Sequence, residues 1–115
     1  MMMIRFGMNY KTGDILLVKF PFTNLKKSKK RPVLVVKSQN SLGDIVCFQI
    51  TSNAKQINLL EIKQNDLSNS IFSLNSYVKY DKCFTLNTEI VDKKIGDVKP
   101  HLLIQLQQLF CNELF

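Results

Sequence analysis

Arg31 is one of two arginines in a chain that otherwise uses fourteen lysines for positive charge. A planar guanidinium can grip two phosphate oxygens where an ammonium supplies a point charge, so Arg31 is the first candidate for holding a phosphate. It closes a dense run of cations, Lys26, Lys27, Lys29, Lys30 and Arg31. Such a run makes a local field suited to nucleic acid or to an acidic peptide, and it reads equally well as a solvated lysine loop. Thr51 and Ser52 place two hydroxyls at the end of an apolar stretch, where they could orient a substrate or simply satisfy strand propensity and turn capping. Lys79 and Asp81 lie two apart, so on a strand they share a side. They could act as acid and base, or form an exposed ion pair worth about 0 to 1 kcal/mol.

Much of the usual enzyme machinery is missing. There is no glycine-rich phosphate cradle, no His-Glu-x-x-His and no Gly-x-Ser-x-Gly, which argues against nucleotide-triphosphate enzymes, zinc proteases and the commonest serine hydrolases. The single histidine, His101, sits beside Pro100 at an expected helix start and reads as a surface or boundary residue, without a catalytic role. Cys47, Cys83 and Cys111 are odd in number and widely spaced, so neither a disulfide framework nor a paired zinc site is readable. No metal or other cofactor is expected.

The 115 residues suit one ordinary domain, with 45% apolar and 22% charged residues, near the globular average. The net charge of +7 is uneven. Residues 1–57 carry ten cations against Asp14 and Asp44, a net +8, whereas residues 58–115 carry six cations against seven acids. The longest apolar stretches are far short of the roughly 20 residues of a membrane helix, and residues 1–10 lack the pattern of a signal peptide. A reducing cytoplasm is the expected location.

The elements that must position these residues are mostly strands. Gly13-Asp14 opens an apolar run over 15–20, ended by Pro21. Residues 23–30 read as an exposed connection, and Pro32 opens a β-branched run to Val36. Residues 44–51 alternate, with Ile45, Cys47, Gln49 and Thr51 on one face and Val46, Phe48 and Ile50 on the other. A short strand is expected within 57–62, residues 63–76 give no clear pattern, and alternation returns at 77–81, continuing toward Leu86. A further short strand ends before the turn residues Gly96-Asp97, and the spacing of Leu102, Leu103, Leu106, Leu109 and Phe110 after Pro100 predicts a helix with one apolar face. Five or six strands with one terminal helix predict a mainly β, α+β fold: a small, strongly bent antiparallel sheet or half-open barrel. The chain reads as a single domain over 1–115, with 1–11 as an N-terminal extension.

The order of these segments resembles the PemK/MazF-like toxins of bacterial toxin-antitoxin pairs. The resemblance runs through Gly13-Asp14-Ile15-Leu16-Leu17-Val18-Lys19-Phe20-Pro21-Phe22-Thr23, Lys30-Arg31-Pro32-Val33-Leu34-Val35-Val36 and Gln49-Ile50-Thr51-Ser52. It continues through Ser76-Tyr77-Val78-Lys79-Tyr80-Asp81-Lys82, Phe84-Thr85-Leu86 and Lys94-Ile95-Gly96-Asp97, covering residues 12–110. It implies an SH3-like barrel that pairs into a homodimer, cuts single-stranded RNA without a metal, and is covered by an acidic antitoxin protein. It also implies that Arg31 and Thr51 are the catalytic pair, and it maps the strand cation and carboxylate of some members onto Lys79 and Asp81. Two departures stand out: Lys79 replaces the arginine of some members, and no histidine precedes position 101. Residues 53–75 match poorly, so the RNA sequence that is cut does not carry over.

RNA supplies its own nucleophile in the 2′-OH, so metal-free cleavage needs a proton acceptor, a cation for the phosphorane charge and help for the departing 5′ oxygen. The expectation is that Arg31 clamps the phosphate, Thr51 orients the phosphate or the 2′-OH, and Asp81, partnered by Lys79, is the weaker candidate for the base. Lys26, Lys27, Lys29, Lys30 and Ser52 would draw in the RNA backbone. The alternatives are a non-catalytic nucleic-acid-binding barrel, DNA included, or a toxin acting on a protein target as gyrase poisons of the same superfamily do. The last relies on a tryptophan near the C-terminus, and this chain has none.

Overall fold

The computed structural model describes residues 9–21, 28–70 and 75–114. Seven strands run in the order β1 (Asp14–Pro21), β2 (Ser28–Lys37), β3 (Asp44–Thr51), β4 (Leu59–Ile62), β5 (Leu67–Ser70), β6 (Ser76–Asn87) and β7 (Val91–Val98). The helix α1 (Pro100–Leu114) follows, and short 3-10 turns occupy Gln64–Asp66 and Thr88–Ile90. The sheet order is β4-β6-β3-β2-β1-β7-β5, with every pairing antiparallel. Strands β4 and β5 are therefore its two edges, yet only residues 63–66 separate them in the chain. A flat seven-stranded sheet would be about 29 Å wide, while that connection reaches at most about 18 Å. The sheet must curl until its edges approach, which makes it a nearly closed barrel.

Alternate residues of the same strands feed two cores, and this is why β1 and β2 read as almost continuous apolar runs. Ile15, Leu34, Phe48, Ile50 and Val78 face one way and are covered by Leu102 and Leu106 of α1. The Phe110 ring meets Phe48 edge-on, with centroids 5.0 Å apart and planes at 79°. Leu16, Val18, Val33, Val35, Ile45 and Cys47 face the other way, under Tyr10. The helix has the predicted apolar face and docks by it.

Several boundaries differ from the sequence reading. Residues 28–30, expected in a loop, already belong to β2 and pair with Lys19, Phe20 and Pro21 of β1. The expected stop at Gly96-Asp97 is absent: β7 runs through to Val98, and Gly96 lies buried opposite Ile15 beside a shift in register. A glycine there marks a bulge rather than a turn. Gly13 and Gly43, by contrast, hold turns with φ of 98° and 83°, as Gly-Asp chemistry suggests. The unpatterned segment 63–76 contains β5 and a 3-10 turn pinned by Asp66, whose carboxylate accepts from Lys63 N at 2.7 Å and from His101 Nε2 at 2.6 Å. His101 is thus a boundary residue that fastens α1 to the strand connection.

Candidate nucleic-acid interface

The register of three strands lays Thr51, Tyr77 and Glu61 in one row, and Arg31 lies on the neighbouring strand β2. Val18 stands opposite Arg31 across β1 and β2, and Val33 stands opposite Gln49 across β2 and β3. The β2–β3 pairing ends at Val33 and Gln49, and Arg31 and Thr51 are the next residues on the same face beyond that pair. Thr51 in turn pairs with Tyr77 of β6, and Tyr77 with Glu61 of β4. Residues directly opposite in a ladder point to the same face, so Thr51, Tyr77 and Glu61 emerge together, and alternation along β2 puts Arg31 on the face of Val33. This is the face of Val33, Val35 and Cys47, and the row lies beyond the end of their buried cluster. Arg31 and Glu61 are exposed, and Thr51 and Tyr77 are half-buried.

Thr51 is held at the strand end by its own turn. Its Oγ1 accepts from Asn53 N at 3.1 Å, which leaves the hydroxyl proton to be donated. Asn53 Oδ1 accepts from Lys55 N at 3.0 Å, and the loop reaches Asn58 in a left-handed conformation with φ of 59°. Asparagine tolerates that region better than most residues.

Lys79 and Asp81 fasten this loop to β6. Between Lys79, opposite Gln49, and Cys83, opposite Phe48, β6 carries the extra residues 80–82 as a bulge. Lys79 Nζ lies 2.9 Å from Asp81 Oδ1 and donates to Ile57 O at 3.2 Å. Asn58 Nδ2 donates to Asp81 Oδ2 at 3.0 Å, and Tyr80 N donates to Asn58 O at 3.0 Å. The Asn58 amide first, and the Lys79 ammonium after it, hold the Asp81 carboxyl below its ordinary value. The sequence left open an exposed ion pair here; the Lys79 side chain is instead only 11% exposed, enclosed by the loop it holds.

The cationic run is divided. Lys29 and Lys30 are exposed on β2, with Lys30 Nζ 3.2 Å from Asp92 Oδ2, and Ser52 is exposed just past Thr51. Lys26 and Lys27 lie outside the described residues. Among the described residues no group of three or more His, Cys, Asp or Glu side chains could hold a metal ion, and no helix is long and apolar enough to cross a membrane. Sequence reasoning missed Tyr77 and Glu61 as neighbours of Thr51. Their strands were legible, but the register that aligns them depends on the β6 bulge, which no local pattern announces.

The sequence matches the model of the PemK-like, MazF-like toxin of type II toxin-antitoxin system family over residues 11–114. The chain belongs to this family. No curated protein matches the sequence. Among solved structures, this family member is similar to an endoribonuclease in complex with its cognate antitoxin from a mycobacterial species, at 17% identity and a TM-score of 0.71. That match covers 91% of this chain and 94% of the other. MazF from Deinococcus radiodurans matches at 16% identity and a TM-score of 0.71, over 92% and 96% of the two chains. A MazE-MazF structure from the same organism gives 15% identity and 0.76, over 91% and 95%. Likeness at these identities establishes a common fold.

Proposed function

We propose that this chain is the toxin of a toxin-antitoxin pair and an endoribonuclease that cuts single-stranded RNA in the cytoplasm without a metal ion, inhibiting translation and growth. What supports the reading is that Arg31 and Thr51 share one face of neighbouring strands just past the last β2–β3 pair, Val33 and Gln49, and that the Thr51 hydroxyl keeps a proton to donate. The 2′ oxygen of the ribose attacks the adjacent phosphorus as its proton departs to water, the bond to the 5′ oxygen breaks, and that oxygen takes up a proton from water. The products are a 2′,3′-cyclic phosphate and a 5′-OH. Arg31 stabilises the charge that builds on the phosphorane, and Thr51 donates to a phosphate oxygen and fixes its orientation.

Asp81 was the candidate base, with Lys79 as its charge partner. Both of its oxygens are engaged, and a carboxyl held below its ordinary value is a weak proton acceptor. In this reading Asp81 and Lys79 chiefly position the loop that carries Thr51, and the 2′-OH proton passes to Asp81 only by way of water. Lys29, Lys30 and Ser52 steer the backbone toward the row. An acidic antitoxin competes for the same cationic face, as suits a chain resembling one solved with its cognate antitoxin. The toxin pairs as a homodimer, for which the exposed Leu42, Ile57 and Ile104 offer apolar surface.

The test is to incubate protein in EDTA with labelled RNA and DNA of one sequence. RNA cut to cyclic-phosphate ends with DNA intact supports the reading; RNA left whole, whether bound or not, refutes it.

A further inference from the structure

We infer that Tyr77 and Glu61 form a base-reading subsite beside the cleavage site, in which Tyr77 stacks on the nucleobase next to the cut and Glu61 selects guanine. The inference rests on the ribonuclease reading above and goes on to name a substrate preference. Its basis is the row itself: Tyr77 is the ladder partner of Thr51, and Glu61 that of Tyr77. Neighbouring strands stand about 4.8 Å apart, so Glu61 lies about 10 Å from Thr51, a distance that a nucleotide spans from its phosphate to the edge of its base.

Tyr77 belongs to neither core cluster, although it is half-buried and large. Among the described residues its side chain makes no hydrogen bond and no ring contact, whereas a tyrosine placed for packing ordinarily finds a partner for its hydroxyl. Single-stranded RNA is held by laying unstacked bases on such rings and reading their Watson-Crick edges. Glu61 is exposed on the edge strand β4 and, among the described residues, its carboxylate makes no ion pair or hydrogen bond. A lone carboxylate beside a polyanion is repelled unless the nucleic acid offers it donors. An ionised carboxylate only accepts, through two oxygens side by side. Guanine alone presents two adjacent donors, N1–H and N2–H, on its Watson-Crick edge. Adenine and cytosine pair one amino donor with an acceptor nitrogen, and uracil flanks its single N–H with carbonyls.

The test cuts a randomised single-stranded RNA with wild type, Glu61→Gln, Tyr77→Phe and Tyr77→Leu, and sequences the fragment ends. Wild type should enrich guanine over uracil next to the cut by about tenfold or more, the discrimination of a bidentate contact. Glu61→Gln should flatten that preference, because an amide accepts through one atom and donates through the other. Tyr77→Leu should raise KM for every sequence, with Tyr77→Phe close to wild type, and thermal melts identify any variant that fails to fold. RNA that is cut with no guanine preference, or with the same preference in Glu61→Gln, overturns the subsite and leaves the ribonuclease reading standing. RNA that wild type does not cut overturns that reading, and the subsite falls with it.

Discussion

Asp81 accepts from Asn58 through one oxygen and sits 2.9 Å from the Lys79 ammonium through the other, so a single carboxylate joins the β6 bulge to the loop that leaves Thr51. The pair is better placed to hold a strand end in register than to move a proton. Asp81→Asn should therefore lower kcat by about 10- to 100-fold through misplacement of Thr51, with little change in KM. Its acid dependence has a definite sign. The folded carboxyl titrates below its ordinary value of 3.8, so the unfolded chain takes up the proton first. Its stabilising contribution is complete above that ordinary value and is lost as pH falls through the folded one. Acid unfolding followed by circular dichroism should show this loss in wild type and lack it in Asp81→Asn.

Lys94 gives the opposite edge of the pH range. Its ammonium lies 3.1 Å from Asp14 and 3.1 Å from Asp97, and the hydrogen bond to Asp14 chiefly raises its pKa above the ordinary 10.5. That contribution is full below about 10.5 and is lost as pH rises through the folded value. Among the described residues, the buried Asp14 side chain keeps the Lys11 amide, at 3.0 Å, as its one partner when Lys94 is removed. Lys94→Met should destabilise the fold by about 1 to 3 kcal/mol at neutral pH in urea titration. An unchanged midpoint would show that the network is idle.

The cysteines should react in a fixed order. Cys47 is fully buried, and burial first, with neighbouring Cys83 adding to it, pushes its thiol up to about 12. Burial raises Cys83 as well, although its surface is exposed, and Cys111 is exposed on α1. Only the thiolate reacts. Iodoacetamide at mildly alkaline pH should label Cys111 first, Cys83 more slowly and Cys47 only on unfolding, as read by mass spectrometry. Early labelling of Cys47 would mean that the second core opens in the native state.

The barrel was legible where a local pattern suffices. Gly13 and Gly43 marked turns because only a positive φ closes them, the alternation at 44–51 separated the two faces of β3, and the leucine spacing after Pro100 gave the helix. Gly96 misled because the same residue that closes a turn also fits a bulge inside a strand, and only the pairing with Ile15 distinguishes them. Residues 63–70 were opaque for a related reason: Asp66 earns its place through His101 and Lys99, both more than thirty residues away. For the candidate site, Arg31 and Thr51 could be picked out by residue type. That Lys79 is enclosed, and that Tyr77 and Glu61 join the row, follows from long-range register, which a single sequence does not display.

The most direct measurement is the cleavage rate of saturating single-stranded RNA, in EDTA, by wild type, Arg31→Ala and Thr51→Ala. Each substitution removes one group that meets the charge developing on the phosphate, so each should lower kcat at least about 100-fold while the melting temperature stays close to wild type. A variant that folds normally and cuts as fast as wild type would contradict the account, because the row would then hold no active site.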